Sequence, residues 1–124
     1  MAKTLSDAVL DGSLNVVKNN ATQLCVCNAQ PTTYTEATDT FKLAIKTGLT
    51  SSNYTGPADH TSGRKLTVNE QTGIAVDASA DAIYIALCGT ASDLYVVTTC
   101  TSQTVTAGNT VDVPAWNIIL PDPT

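Results

Sequence analysis

The run from Arg64 to Leu120 constrains the fold most, because short segments rich in Val, Ile, Thr and Tyr alternate there with Gly, Asn, Asp and Ser. β-Branched and aromatic side chains lose little freedom on an extended backbone, and turn formers at near-strand intervals cut such a run into strands. The predicted strands are Arg64–Val68, Ile74–Asp77, Ala82–Cys88 and Leu94–Cys100, followed by a hairpin of Gln103–Thr106 with Thr110–Val113 across Ala107-Gly108-Asn109. Ala82–Cys88 and the stretch around Tyr95-Val96-Val97 are apolar on both faces, the pattern of strands central in a sheet. Pro114 cannot donate a ladder hydrogen bond, so the last run should break there before Trp116, Ile118 and Leu120 resume an inward face.

The first half is mixed. Thr4-Leu5-Ser6-Asp7 has the spacing of a helix-capping box, and apolar residues recur at helical intervals through Val9, Leu10, Leu14, Val16 and Val17. A helix is expected over 5–18, weakened at Gly12 by about 1 kcal/mol relative to Ala, and stopped near Asn19-Asn20. First strands follow over 22–47: Thr22–Cys27 alternates and ends before Pro31, and Phe41, Leu43 and Ile45 alternate with a lysine-bearing face. Between Gly48 and Gly63 the residues are polar and rich in turn formers, which predicts a long loop and the natural contact arm. At 124 residues the chain suits one domain, 1–124, and the pattern predicts a mainly β fold: an antiparallel β-sandwich or small barrel with one N-terminal α-helix.

Charge limits the choice of partners. All six Lys and Arg residues lie at or before Lys65, and the six acids beyond it face no base in the sequence. Such a half repels phosphate backbones, so nucleic acid is not expected there, and one Trp and one Phe offer little for base stacking. No stretch approaches the roughly 20 apolar residues of a membrane helix, and Asp7 and Asp11 interrupt anything like a leader, so no membrane is expected and synthesis is placed in the cytoplasm.

Residues that could carry chemistry are few. Cys25 and Cys27 share one strand face, and Cys88 and Cys100 sit at predicted strand ends. Buried reduced thiols, a Cys88–Cys100 disulfide and a zinc site are the three readings open to them. His60 stands between Asp59 and Thr61, with Ser62 beyond. These residue types resemble a triad, but neighbours in sequence cannot reach relay geometry, which leaves a solvated histidine or a metal or pH role. Asp77, Asp81 and Asp93 fall where carboxylates cap turns, with calcium as the alternative. No Walker loop, Rossmann glycine pattern or nucleophile elbow occurs, so neither catalytic residues nor a cofactor is expected. Arg64-Lys65 either guards a sheet edge or forms salt bridges to an acidic partner.

Met1 to Gly12, Lys18 to Thr22, Gln30 to Ala37, Gly63 to Val68, Leu94 to Gln103 and Val105 to Val111 together resemble small virion proteins of tailed bacteriophages and prophages. The similarity runs through nearly the whole chain. It implies a non-enzymatic structural protein of the virion, foremost a capsid decoration or cement protein on the head surface, with the major capsid protein as partner. It also implies a homo-oligomer, dimer or trimer, and leaves open a fibre-attached or adaptor module of the tail that binds the host surface. On this reading the partner contacts are expected at Leu10 and Leu14 of the helix, Tyr34 and Tyr54 of the polar loops, His60, Arg64 and Lys65.

Overall fold

A computed structural model describes residues 6–61, 63–90 and 93–121. Helix α1 (Asp7–Asn20) begins at Ser6, whose extended backbone and Oγ, accepting from the Val9 N–H at 3.3 Å, supply an N-cap. The expected capping box at Thr4-Leu5 lies outside the described residues. Asp7 in the first turn and Lys18 in the last both complement the helix dipole. Leu10, Leu14 and Val17 are buried, so α1 covers its own strands.

Among the described residues nine strands follow: β1 (Gln23–Cys27), β2 (Lys42–Lys46), β3 (Tyr54–Asp59), β4 (Arg64–Val68), β5 (Gln71–Ala75), β6 (Ala80–Cys88), β7 (Leu94–Val105), β8 (Thr110–Val113) and β9 (Trp116–Leu120). Every pairing is antiparallel, in three sheets ordered β2-β1-β6-β7, β3-β4-β9 and β5-β8. The fold is therefore mainly β with one N-terminal helix, as the strand pattern predicted.

The two smaller sheets are one bent layer. β4 turns at Asn69-Glu70 into β5, β8 turns at Pro114-Ala115 into β9, and the paired register passes from Val68↔Trp116 to Gln71↔Val113 across the bend. Proline at that point removes a donor just where the ladder breaks. At the end of β5 a bridge from Val76 to Ala44, with the Asp77 N–H donating to the Leu43 carbonyl at 2.7 Å, stitches this layer to β2. Strands can thus be followed around a barrel as β7-β6-β1-β2-β5-β8, and among the described residues no pairing joins β8 back to β7.

The main core lies between the layers and includes Leu14, Leu24, Val26, Leu66, Val68 and Leu87. A second cluster occupies the other face of β1 and β6, where Cys25, Cys27, Ala86 and Cys88 are covered by Tyr34, Ala37 and Phe41. The Thr-rich segment before β2 makes that cover through a short π-helical turn, Glu36–Thr40. Glu36 fastens it by accepting from the Thr32 N–H at 2.8 Å and the Thr32 hydroxyl at 2.7 Å, contacts that hold its carboxyl below the usual range.

Three expectations change. The predicted loop over 48–63 is mostly a 3₁₀ turn (Ser51–Asn53) and strand β3, and ahead of β4 the His60 N–H donates to the Gly63 carbonyl at 3.1 Å. The 103–113 hairpin does not form: β7 runs unbroken to Val105, and β8 pairs with β5. β6 is central, between β1 and β7, but β7 is an edge strand despite its apolar Tyr95-Val96-Val97 stretch. Val97 and Leu94 there pack with the cysteine cluster, and Tyr95 and Val96 against the main core, so both faces are covered without a second neighbouring strand.

Candidate functional site

The residues expected to meet a partner are scattered, and three are withdrawn by burial. Leu10 and Leu14 face inward from α1, and Tyr54 points into the core, only 4% exposed, its hydroxyl donating to the Ala21 carbonyl at 2.7 Å. Burial pushes the Tyr54 phenol up to about 12. Tyr34 is half-buried in the cover over the cysteines, where its hydroxyl accepts from Gln23 Nε2 at 3.5 Å.

Arg64 is committed internally. Its Nε donates to Asp11 Oδ1 at 2.7 Å and its Nη2 to Asp11 Oδ2 at 3.1 Å, a two-pronged pair tying α1 to β4, while Nη1 engages Asp59. These bonds, Asp11 foremost, raise the guanidinium further above its ordinary range. Lys65 is half-buried on the outer face of β4, beside Ala58 and Ile119, and His60 is exposed in its turn. Asp59, the histidine's acidic neighbour, is taken by Arg64 instead.

The cysteines also divide. Cys25, Cys27 and Cys88 are sealed in the second cluster, whereas Cys100 packs against the main core on the opposite face of the sheet, so Cys88 and Cys100 cannot pair. A hydrogen bond with Cys88, reinforced by burial, raises the Cys25 thiol, and burial foremost pushes Cys27 up to about 12. These are thiols held in the unreactive form. Among the described residues no three His, Cys, Asp or Glu side chains gather to hold a metal ion. No helix among them is long and apolar enough to cross a membrane.

What the fold does assemble is an open seam. On one side, Ile83 of β6 stands opposite three residues of β7, Cys100, Thr101 and Ser102, because the register steps from Tyr84↔Thr99 to Ala82↔Gln103. That bulge leaves Cys100, Thr101 and Ser102 outside the paired register. On the other side, the Pro114-Ala115 bend interrupts β8 and β9. Two adjoining clefts, of about 190 and 360 Å³, open between these irregular segments and share Ile85, Cys100, Thr101, Val113 and Pro114.

The smaller cleft has an apolar lining of Val26, Ala82, Ile85, Val111 and Val113, and the larger is lined by Trp116 and Thr98. The Trp116 indole N–H is buried with no acceptor among the described residues. Among the described residues β7 pairs only with β6, β8 only with β5 and β9 only with β4, so the seam is flanked by strand edges whose outward backbone groups have no ladder partner among them. Apolar lining with two unpaired edges is the arrangement that accepts an extended polypeptide: the edges supply main-chain hydrogen bonds and the cleft takes alternate side chains.

Of this site, only the break at Pro114 carried a sequence signal. The β7 bulge has no marker, since Cys100, Thr101 and Ser102 contain neither Gly nor Pro. No protein-family model, curated protein or solved structure matches the chain.

Proposed function

We propose that this chain is a non-enzymatic structural protein of a bacteriophage particle, a decoration or cement protein that grips the major capsid protein and stabilises the head shell. The observation that supports the gripping step is the open seam, which offers unpaired β7 and β8–β9 edges beside an apolar cleft. An extended arm of a shell subunit laid into it would extend the sheet at β7 and cover Pro114 and Ala115, which are exposed.

Binding that requires the assembled shell favours the assembled state by mass action, and needs no catalytic group. β7 carries no charged residue between Leu94 and Val105, so nothing on that edge repels an incoming strand. The neighbouring acids, Asp81 and Asp112, favour an arm that is neutral or basic.

Two measurements test this reading. Copies per purified particle should number in the hundreds; a few to a few tens would move the protein to the tail, and absence from particles would end the virion assignment. Thr99→Lys with Thr101→Lys places charge and bulk on the β7 edge, both residues being exposed. The variant should keep its melting temperature and lose attachment to particles by about tenfold or more. Full attachment of a folded variant would rule out the seam as the grip.

A further inference from the structure

The two walls of the seam differ in what they offer a chain laid between them. β7 is continuous from Leu94 to Val105, and its edge away from β6 has no ladder partner among the described residues. The opposite wall is broken at Pro114-Ala115, and Pro114 has no N–H to donate. An incoming strand therefore pairs with β7 and packs its side chains against β8 and β9. Every ladder among the described residues is antiparallel, the arrangement that holds slightly better per residue. The strand accordingly runs against β7, entering beside Gln103 and leaving beside Thr98.

The two ends of this path are unlike. Cys100, Thr101 and Gln103 line the cleft of about 190 Å³, and Thr98 to Thr101 the cleft of about 360 Å³, an offset of about two positions along β7. That is one step between side chains on the same face of a strand, so alternate side chains of the arm reach first the smaller cleft and then the larger. Of the residues lining the two clefts Asp112 alone is charged, and it lies in the smaller. Its Oδ1 accepts from the Gly73 N–H at 2.8 Å, and Asp81, which accepts from the Thr104 hydroxyl at 2.8 Å, adds a second carboxylate at that end. The larger cleft is walled instead by the Trp116 ring and by uncharged neighbours.

We propose that the seam accepts its arm in one direction only, with a basic residue at the Asp112 end, a compact aliphatic side chain next to it in the smaller cleft, and two residues later a larger apolar side chain against Trp116. This rests on the seam being the grip, and goes beyond that reading by assigning order, size and charge along the arm. A single exposed ion pair adds little affinity. Asp112 acts on direction instead, because a reversed arm carries its basic residue to the uncharged end and its larger side chain to the smaller cleft. On a shell of many identical subunits, one permitted direction seats every copy alike.

The probe is the peptide Thr-Lys-Val-Thr-Leu-Thr, acetylated and amidated so that its ends carry no charge, titrated into the full chain. Trp116, the one tryptophan of the chain, reports filling of the larger cleft through its emission, and Cys100, half-buried in the wall the clefts share, reports it through slower thiol labelling. The peptide should bind with a Kd of about 0.1–1 mM, the reversed sequence about tenfold more weakly, and a version with Glu for Lys about fivefold more weakly. Asp112→Asn, whose amide oxygen can still accept from the Gly73 N–H, should bring the Lys and Glu peptides within about twofold of each other. Equal binding of the forward and reversed peptides, or of the Lys and Glu peptides, overturns the ordered arm, and loss of that binding in Thr99→Lys with Thr101→Lys would still keep the seam as the grip. Absence of binding by every peptide overturns the ordered arm as well, and attachment of the double variant to particles then decides separately whether the seam reading stands. Self-association in sedimentation that the double variant removes would give the groove to a second copy and overturn both.

Discussion

Tyr54 offers the most direct test of the fold, because the segment around it reads as an exposed loop in the sequence and stands as a buried strand in the structure. Replacing it by Phe keeps the ring and removes one hydroxyl, which donates to the Ala21 carbonyl at 2.7 Å where α1 ends. Both residues are almost wholly buried, so the loss combines a net hydrogen bond with a carbonyl left unsatisfied. Together these amount to roughly 1–2.5 kcal/mol. For a chain of this size that lowers the melting temperature by about 4–10 °C near pH 8.

The pH dependence sharpens the test. Burial raises the folded-state phenol from its ordinary value of 10.0 to about 12. Above pH 10 the unfolded chain therefore releases this proton first, and the folded state loses up to about 1.4 kcal/mol per pH unit, on the order of 2 kcal/mol by pH 12. Below pH 10 both states keep the proton and the contribution is intact. Tyr54→Phe has no such proton, so the gap between wild type and variant should close as pH rises through 10 to 12 and vanish or reverse at the top. Chemical denaturation of the two chains at matched pH values isolates this one group, because all other titrations are common to both. Equal stability near pH 8, with a difference that stays flat to pH 12, would show that Tyr54 is solvated and that 48–63 is the loop its composition suggests.

Gly63→Ala should be among the most damaging single changes, since its Cβ would stand 1.8 Å from the Leu120 carbonyl oxygen at a φ of +82°. The left-handed backbone and the forced shift of β9 cost roughly 3 kcal/mol or more in denaturant titrations, whereas Gly48→Ala, at φ +72° with open space around it, should cost only about 1–2 kcal/mol. A similar loss at both positions would refute the close approach of β4 and β9. Thiol labelling of the native chain at pH 8 should modify Cys100 at most, because Cys25, Cys27 and Cys88 are sealed and burial keeps Cys27 protonated to about 12. Rapid modification of more than one of the four thiols would show the cover of Tyr34, Ala37 and Phe41 to be open.

How much could be read in advance follows from which forces act locally. The helix at 5–18 lies two residues short of its observed end because caps and periodicity are local, and the strands at 64–68, 82–88 and 94–100 sit in place because alternation is local too. Composition misleads at 48–63. Thr, Ser, Asn and Gly fit a solvated loop, but Tyr54, with its ring in the core and its hydroxyl on α1, anchors a strand that pairs with β4. Leu10 and Leu14 read as partner contacts in the sequence because a broad apolar helix face does not say which stripe meets its own sheet. Packing resolves it: Leu10, Leu14 and Val17 go in, leaving Val9 and Val16 outside. The seam was invisible for a different reason. Its width follows from β8 pairing with β5 and not with the adjacent β7, and the Val76 bridge to Ala44 stitches that layer to β2; both are contacts between segments distant in sequence, which no local pattern encodes.

Charge takes on a different meaning once the chain is folded. The basic residues of the first half look in sequence like a docking patch for an acidic partner, yet Arg64 is bound to Asp11 and Asp59 and Lys42 to Asp77. Lys18 spends its ammonium on the Gly56 carbonyl. These pairs close the molecule on itself, α1 to β4 and β2 to the end of β5, and leave recognition to surfaces with little charge of their own. The proposed seam has that character, being edged by an uncharged strand, and the outward arc of α1 likewise has no charged side chain. Partner choice at such surfaces comes from main-chain pairing and apolar fit, interactions that operate over contact distance only. A protein that recognises by fit alone gains little from long-range steering. It is suited to a partner present at high local density, which is the situation of many copies arrayed on one particle.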